Sequence, residues 1–212
     1  MSNNSATTQT NREQSDVSSK VPGHPSTTSA SSSELASLKI RLQNALRQFP
    51  DFPSPGIIFL DILPIFADPS LHEDLIRSLE LHVLETYGDQ KPDVIVGLDA
   101  RGFLFGPSLA LRLGASFVPV RKKGKLPGPV ETQVYEKEYG SDHFEMQAGA
   151  IKPGQKVIVV DDIIATGGSA SAAGNLVQKL GGNLLGFVFM LEIDFLKGRA
   201  KLHAPVYTLL SS

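Results

Sequence analysis

Apolar positions recur along the chain at two spacings, and the spacing changes from one segment to the next. In LASLKIRLQNALRQF, Leu35, Leu38, Leu42, Leu46 and Phe49 fall at three- and four-residue intervals. That period predicts an amphipathic helix over Leu35–Phe49, capped by the Ser-Ser-Ser-Glu run before it. Asp51–Gly56 (DFPSPG) is turn material, because Pro53 and Pro55 break the helix. Ile57–Asp61 is a short apolar segment, and a second amphipathic helix is predicted over Leu71–Tyr87. Beyond it, apolar runs replace the helical period. Val94–Gly97, Phe117–Val120, Val157–Asp161, Leu184–Leu191 and Val206–Leu209 read as strands. Helical stretches over Phe105–Leu113 and Ser169–Leu180 lie between them, the second stopped by Gly181-Gly182. Strands alternating with helices predict one α/β domain whose mostly parallel sheet is buried on both faces.

Two stretches depart from this pattern. Met1–Ser33 is dominated by Ser, Thr, Asn and Gln, and the first aromatic residue of the chain is Phe49. Such a segment cannot bury enough apolar surface to offset its ordering entropy. Residues 1–33 are therefore expected to be a disordered tail, ahead of a single domain over 34–212. Glu13 and Asp16, with only Arg12 and Lys20 as basic residues, argue against a transit peptide, and no apolar h-region marks a secretory signal. The second departure is Arg121–Gly140, rich in charge, Gly and Pro. It carries Arg121, Lys122, Lys123 and Lys125 at one end and Glu136, Lys137, Glu138 and Tyr139 at the other. Long connections without core patterning are usually functional lids or disordered.

Composition removes several chemistries. The 212 residues carry a formal net charge of −2, so no global basic footprint points to nucleic acid. No apolar run spans a bilayer. With no cysteine there is no disulfide framework, thiol nucleophile or thiolate metal site. None of the histidines forms a His-x-x-x-His pair.

The chemistry that remains is concentrated in VIVVDDIIATGGSA, Val157–Ala170. Open α/β sheets bind ligands at the carboxyl ends of their strands, and Asp161 and Asp162 stand at such an end. Consecutive strand residues point to opposite sides, so the two acids are not expected to grip one ion together. One can accept the vicinal hydroxyls of a ribose while the other supports the loop. Gly167 and Gly168 permit close backbone approach, Thr166 and Ser169 offer hydroxyls, and the next helix presents free N–H groups. That combination is a phosphate cup. An acid for ribose beside a cup for phosphate describes a ribose 5-phosphate site. Neither G-x-x-x-x-G-K-[ST] nor a helix-opening G-x-G-x-x-G occurs, which removes the competing phosphate motifs.

This stretch resembles the phosphoribosyl-pyrophosphate (PRPP) signature of the type I phosphoribosyltransferases. FPSPGIIF (Phe52–Phe59), VGLDARGFLFGPSLA (Val96–Ala110), RKKGKLPGP (Arg121–Pro129) and YEKEYG (Tyr135–Gly140) narrow the resemblance to the adenine phosphoribosyltransferases. It covers nearly everything from Leu38 onward and none of the Ser/Thr-rich tail. The resemblance implies a type I phosphoribosyltransferase fold: a mostly parallel central sheet flanked by helices, a long catalytic lid loop and a small N-terminal base-binding hood. It implies adenine and PRPP as substrates, Mg²⁺ carried on PRPP rather than held directly, a homodimer, and a cytoplasmic location with the nucleus as a further compartment.

By the same resemblance, Asp161 and Asp162 face the ribose, and Ala165, Thr166, Gly167, Gly168 and Ser169 form the 5′-phosphate loop. Ala100 and Arg101 match the pyrophosphate loop, often built around a cis peptide. Arg101 also suits that role because its planar fork matches phosphate oxygens. Arg121 and Lys125 approach the pyrophosphate, while Lys122 and Lys123 read as solvated lysines at the lid edge. Glu138 and Tyr139 match the catalytic lid pair, and Ile58 and Ile193 flank the base. Without the family, Glu138 is one of several lid charges, and either isoleucine could equally be core. Ser169 replaces a common Thr, Ala100 a common Ser, and Leu60 a position charged in some relatives. Two other readings stay open: a phosphoribosyltransferase for another base, and a PRPP-binding regulator without catalysis.

Overall fold

The computed structural model describes residues 27–52, 54–136 and 140–210. Helix α1 (Thr27–Ala45) is followed by a two-stranded antiparallel hairpin, β1 (Arg47–Pro50) and β2 (Ile58–Asp61). Two helices come next, α2 (Leu63–Ala67) and α3 (Pro69–Tyr87). The remaining elements are β3 (Val94–Leu98), α4 (Gly106–Leu113), β4 (Ser116–Lys122), β5 (Val130–Glu136), β6 (Ser141–Gln147), β7 (Lys156–Ile164), α5 (Gly168–Lys179), β8 (Asn183–Glu192) and β9 (Val206–Thr208).

Seven strands form one sheet in the order β5-β6-β4-β3-β7-β8-β9. The five from β4 to β9 are parallel, and the β5–β6 hairpin extends the sheet antiparallel from β4. Period-two burial explains why two layers cover it. On β3, β7 and β8, Ile95, Ile158, Val160, Val188 and Met190 face one side, where Leu42, Leu75, Leu79 and Leu109 bring in α1, α3 and α4. Val94, Val96, Val157, Val159, Phe187 and Phe189 face the other side, against Leu176 and Val177 of α5. Each fully buried side chain of this kind contributes about 1.5–3 kcal/mol relative to exposure.

Three elements differ from the sequence pattern. Helix α1 starts at Thr27, inside the stretch expected to be tail, and ends at Ala45 rather than Phe49. Its end is set by pairing: Arg47–Pro50 lie opposite Ile58–Asp61, with Arg47 facing Asp61. Glu34 anchors its start by accepting from Arg77 Nε at 2.7 Å. Residues 1–26 lie outside the described residues. The connection Arg121–Gly140, read as a lid without core patterning, contains strand β5, which pairs with β6 just beyond it and buries Tyr135 against Phe144. Helix α2 was not expected, because five residues are too few to show a helical period.

Candidate active site

The order of strands reverses between β3 and β7. From β3 the chain moves to β4 on one side, and from β7 it moves to β8 on the other. The carboxyl ends of β3 and β7 therefore open a crevice at a switch point, where α/β sheets hold their ligands. A cavity of about 290 Å³ lies there. Asp99 and Arg101 from the β3 side and the run from Asp161 to Ala170 line it, and Lys122, Tyr135 and Phe144 close a wall.

The segment after β7 has the shape its glycines allow. Gly167 has φ +78°, and α5 begins at Gly168, so the free N–H groups of its first turn border the cavity. Gly198, in a short 3₁₀ segment after β8, lies directly under this loop. A Cβ on Gly198 would strike the carbonyl of Ala165 and lie 3.0 Å from the Gly167 nitrogen. A Cβ on Gly167 would in turn strike the Gly198 carbonyl. Arg199 fixes that segment: Nε donates to Glu192 at 2.5 Å, and the other nitrogens reach Val206 O and Thr208 Oγ1 at 2.6 Å.

Both acids line the cleft, with different partners. Asp161 Oδ1 accepts the amide N–H of Asp162 at 2.9 Å. Burial, and then the charge of Asp162, push the Asp161 carboxyl well above the usual carboxylate range. Asp162 is 6% exposed and forms an ion pair with the Arg101 guanidinium. Close contact across the crevice depends on Gly102, where a Cβ would come within 2.8 Å of Val160 O. A second pair joins β4 to β3: Arg121 Nε donates to Asp99 Oδ2 at 3.0 Å, with its guanidinium 6.0 Å from the Phe103 ring centre.

The structure thus gathers Arg101, Asp161, Asp162, Ala165, Thr166, Gly167, Gly168 and Ser169 around one cavity. Arg121 adjoins it through Asp99. Ala100 lies between those cleft residues, and the cis peptide is Asp99–Ala100, one bond before the Ala100–Arg101 step. Lys125 is exposed in the turn after β4, with its amide donating to Lys122 O. Lys122, expected only as a solvated lysine, lines the wall. Ile58 is 64% exposed on β2 and does not line this cavity. Ile193 does not line it either, but its amide donates to the carbonyl of Ile164, which does. Glu138 and Tyr139 lie outside the described residues. Sequence reasoning missed Asp99 and Gly198. The Arg-Gly pair at 101–102 points to close approach, whereas nothing near Gly198 in the sequence signals its contact with a distant loop.

Among the described residues no helix is long and apolar enough to cross a membrane, and no cluster of three or more His, Cys, Asp or Glu is placed to hold a metal ion.

The class suggested by this switch-point cleft is supported by an independent match: residues 67–210 fit the family model of the phosphoribosyl transferase domain. The adenine phosphoribosyltransferase of Yarrowia lipolytica is 64% identical over 177 residues, 84% of this chain and 97% of the relative. Adenine phosphoribosyltransferase 1 of Saccharomyces cerevisiae is 60% identical over 178 residues, 84% of this chain and 95% of the relative. A crystal structure of the S. cerevisiae enzyme, complexed with an imino-altritol bisphosphate and adenine, superposes with a TM-score of 0.81 over 82% of this chain and 99% of that one. The chain belongs to the adenine phosphoribosyltransferase family.

Proposed function

We infer that the chain catalyses the transfer of the 5-phosphoribosyl group from PRPP to adenine, giving AMP and pyrophosphate, a purine-salvage reaction. The observation that carries this is the single cavity holding a strand-end acid pair, a glycine-rich loop at a helix start and the Arg101 guanidinium. Each part answers one part of PRPP. The loop from Ala165 to Ser169 receives the 5′-phosphate, whose charge suits the N–H groups of α5. Asp161 and Asp162 lie at the ribose hydroxyls. Ala100, Arg101, Arg121 and Lys125 attend the pyrophosphate, the arginines through planar forks that match phosphate oxygens.

The chemistry needs charge handling more than a nucleophile. Bond breaking leaves positive, oxocarbenium-like character on the sugar and negative charge on pyrophosphate. Cationic side chains aimed at the leaving group favour that separation. Mg²⁺ enters with PRPP as part of the substrate. Adenine supplies its own nitrogen, so no Ser, Cys or His nucleophile is required. In this reading Glu138 handles a purine proton, Tyr139 covers the reacting centre, and the lid excludes the water that would hydrolyse PRPP. Ile58 and Ile193 flank the base. The same reading makes the protein a cytoplasmic homodimer.

The test is a base-specificity assay with PRPP and Mg²⁺, offering adenine, hypoxanthine, guanine, xanthine and orotate in turn and following pyrophosphate release. Release with adenine alone, reduced at least tenfold in Glu138→Gln, is expected from a group acting in proton transfer. PRPP binding without turnover on any base would make the protein a PRPP-binding regulator instead.

A further inference from the structure

Both guanidinium groups assigned to the leaving group already have internal partners. Arg101 is paired with Asp162, and Arg121 with Asp99. The two pairs differ in what the carboxylate has to do. In the reading above, Asp162 also faces the ribose hydroxyls, so the same oxygens have two prospective partners. Asp162 is buried, while the Arg101 side chain is 56% exposed and open to the cleft. An incoming diphosphate therefore reaches the guanidinium from the solvent side. It offers several oxygens and more charge than one carboxylate, and guanidinium binds phosphate bidentately.

We propose that Asp162 changes partners: it holds Arg101 until a diphosphate arrives, and the diphosphate draws Arg101 away and frees Asp162 for the ribose. The proposal rests on the site reading above and adds a coupling between two halves of one substrate. Asp162 competes with pyrophosphate for Arg101. Once pyrophosphate is bound, Asp162 accepts ribose hydroxyls that it could not fully accept before. Because coupling between sites is reciprocal, ribose binding also eases pyrophosphate binding. Simple charge repulsion between two phosphorylated ligands predicts the opposite sign.

The experiment is calorimetric titration with inorganic pyrophosphate and with ribose 5-phosphate, in EDTA so that no cation bridges the two. Asp162→Asn keeps the shape of the side chain and removes its charge. It is expected to bind pyrophosphate about threefold tighter than the wild type, the scale of a partly exposed ion pair. That gain should vanish when Arg101→Ala is added. A gain of equal size in the Arg101→Ala background would mean that only the local field had changed, and would overturn the exchange. A wild-type measurement covers the case in which Asp162→Asn fails to fold. Saturating pyrophosphate should tighten ribose 5-phosphate about threefold, and an unchanged or weaker affinity overturns the proposal. Wild type binding both ligands independently removes the exchange alone. Wild type binding neither removes the site reading with it.

Discussion

Asp161 stands where its surroundings disfavour a charge. Its carboxyl is pushed well above the ordinary range by burial and by the charge of Asp162 beside it. A carboxyl whose folded pKa is raised adds no penalty at acidic pH, where it is neutral in both states. As pH rises from the ordinary carboxylate range to the raised folded pKa, the unfolded chain gives up this proton before the folded one does, and stability falls until both have ionised. Asp161→Asn should therefore raise the thermal midpoint at neutral pH, at about 2–4 °C for each kcal/mol recovered in a chain of this size. The gain should disappear in acid, and turnover should fall, because a neutral amide is a poorer acceptor for ribose hydroxyls. Scanning calorimetry across pH checks both arms. A variant that is more stable and less active is the signature of a site held in a costly state for the sake of its ligand.

Among elements, the junction of α1, α3 and β9 is sensitive to proton uptake. His82 of α3 stacks on Tyr207 of β9 with ring centres 3.3 Å apart, and Lys39 of α1 lies 5.2 Å from the same Tyr207 ring. Thr86 shares a hydrogen bond with His82 at 3.3 Å, and the charge of Glu85 acts on Tyr207. Burial, and then the Lys39 charge, lower the His82 pKa from 6.5 to about 4. The unfolded chain therefore binds this proton more readily than the folded one between those values. Stability is whole above pH 6.5 and declines as pH falls toward about 4. Urea midpoints measured across that window should fall less steeply for His82→Gln than for the wild type.

The same elements show what was legible in the sequence. The strands β3, β7 and β8 and the helices α3 and α5 stand out because long apolar runs or full helical periods fix them. The loop from Asp161 to Ser169 is legible because its chemistry is local to one strand end. Helix α1 is extended by Arg77, which reaches Glu34 from another helix, and is cut short by strand pairing at Arg47. The β5–β6 hairpin has a period-two pattern of its own in Val130, Thr132 and Val134, but the Gly- and Pro-rich stretch before it hides the start. The pairing of Arg101 with Asp162 joins the turn after β3 to strand β7, and no local pattern announces it.

For the molecule as a whole, the first described element is α1, which starts at Thr27. Removing residues 1–26 should leave turnover and the thermal midpoint unchanged. Removing residues 1–42 takes Leu38 and Leu42 out of the core, where they are 9% and 0% exposed. Each loss is comparable to a large-to-small core substitution of about 2–5 kcal/mol, so the longer deletion should melt many degrees lower. Thermal scans of the two truncations, with the turnover assay alongside, make the comparison. One consequence of the bare contact between Gly167 and Gly198 concerns sequence drift. Neither position has room for a single carbon, so neither can explore other residues while its neighbour stays in place. A line of descent could change one only after the floor of the loop had already moved. The freedom of the phosphate loop to evolve is thus set by a segment beyond the next strand.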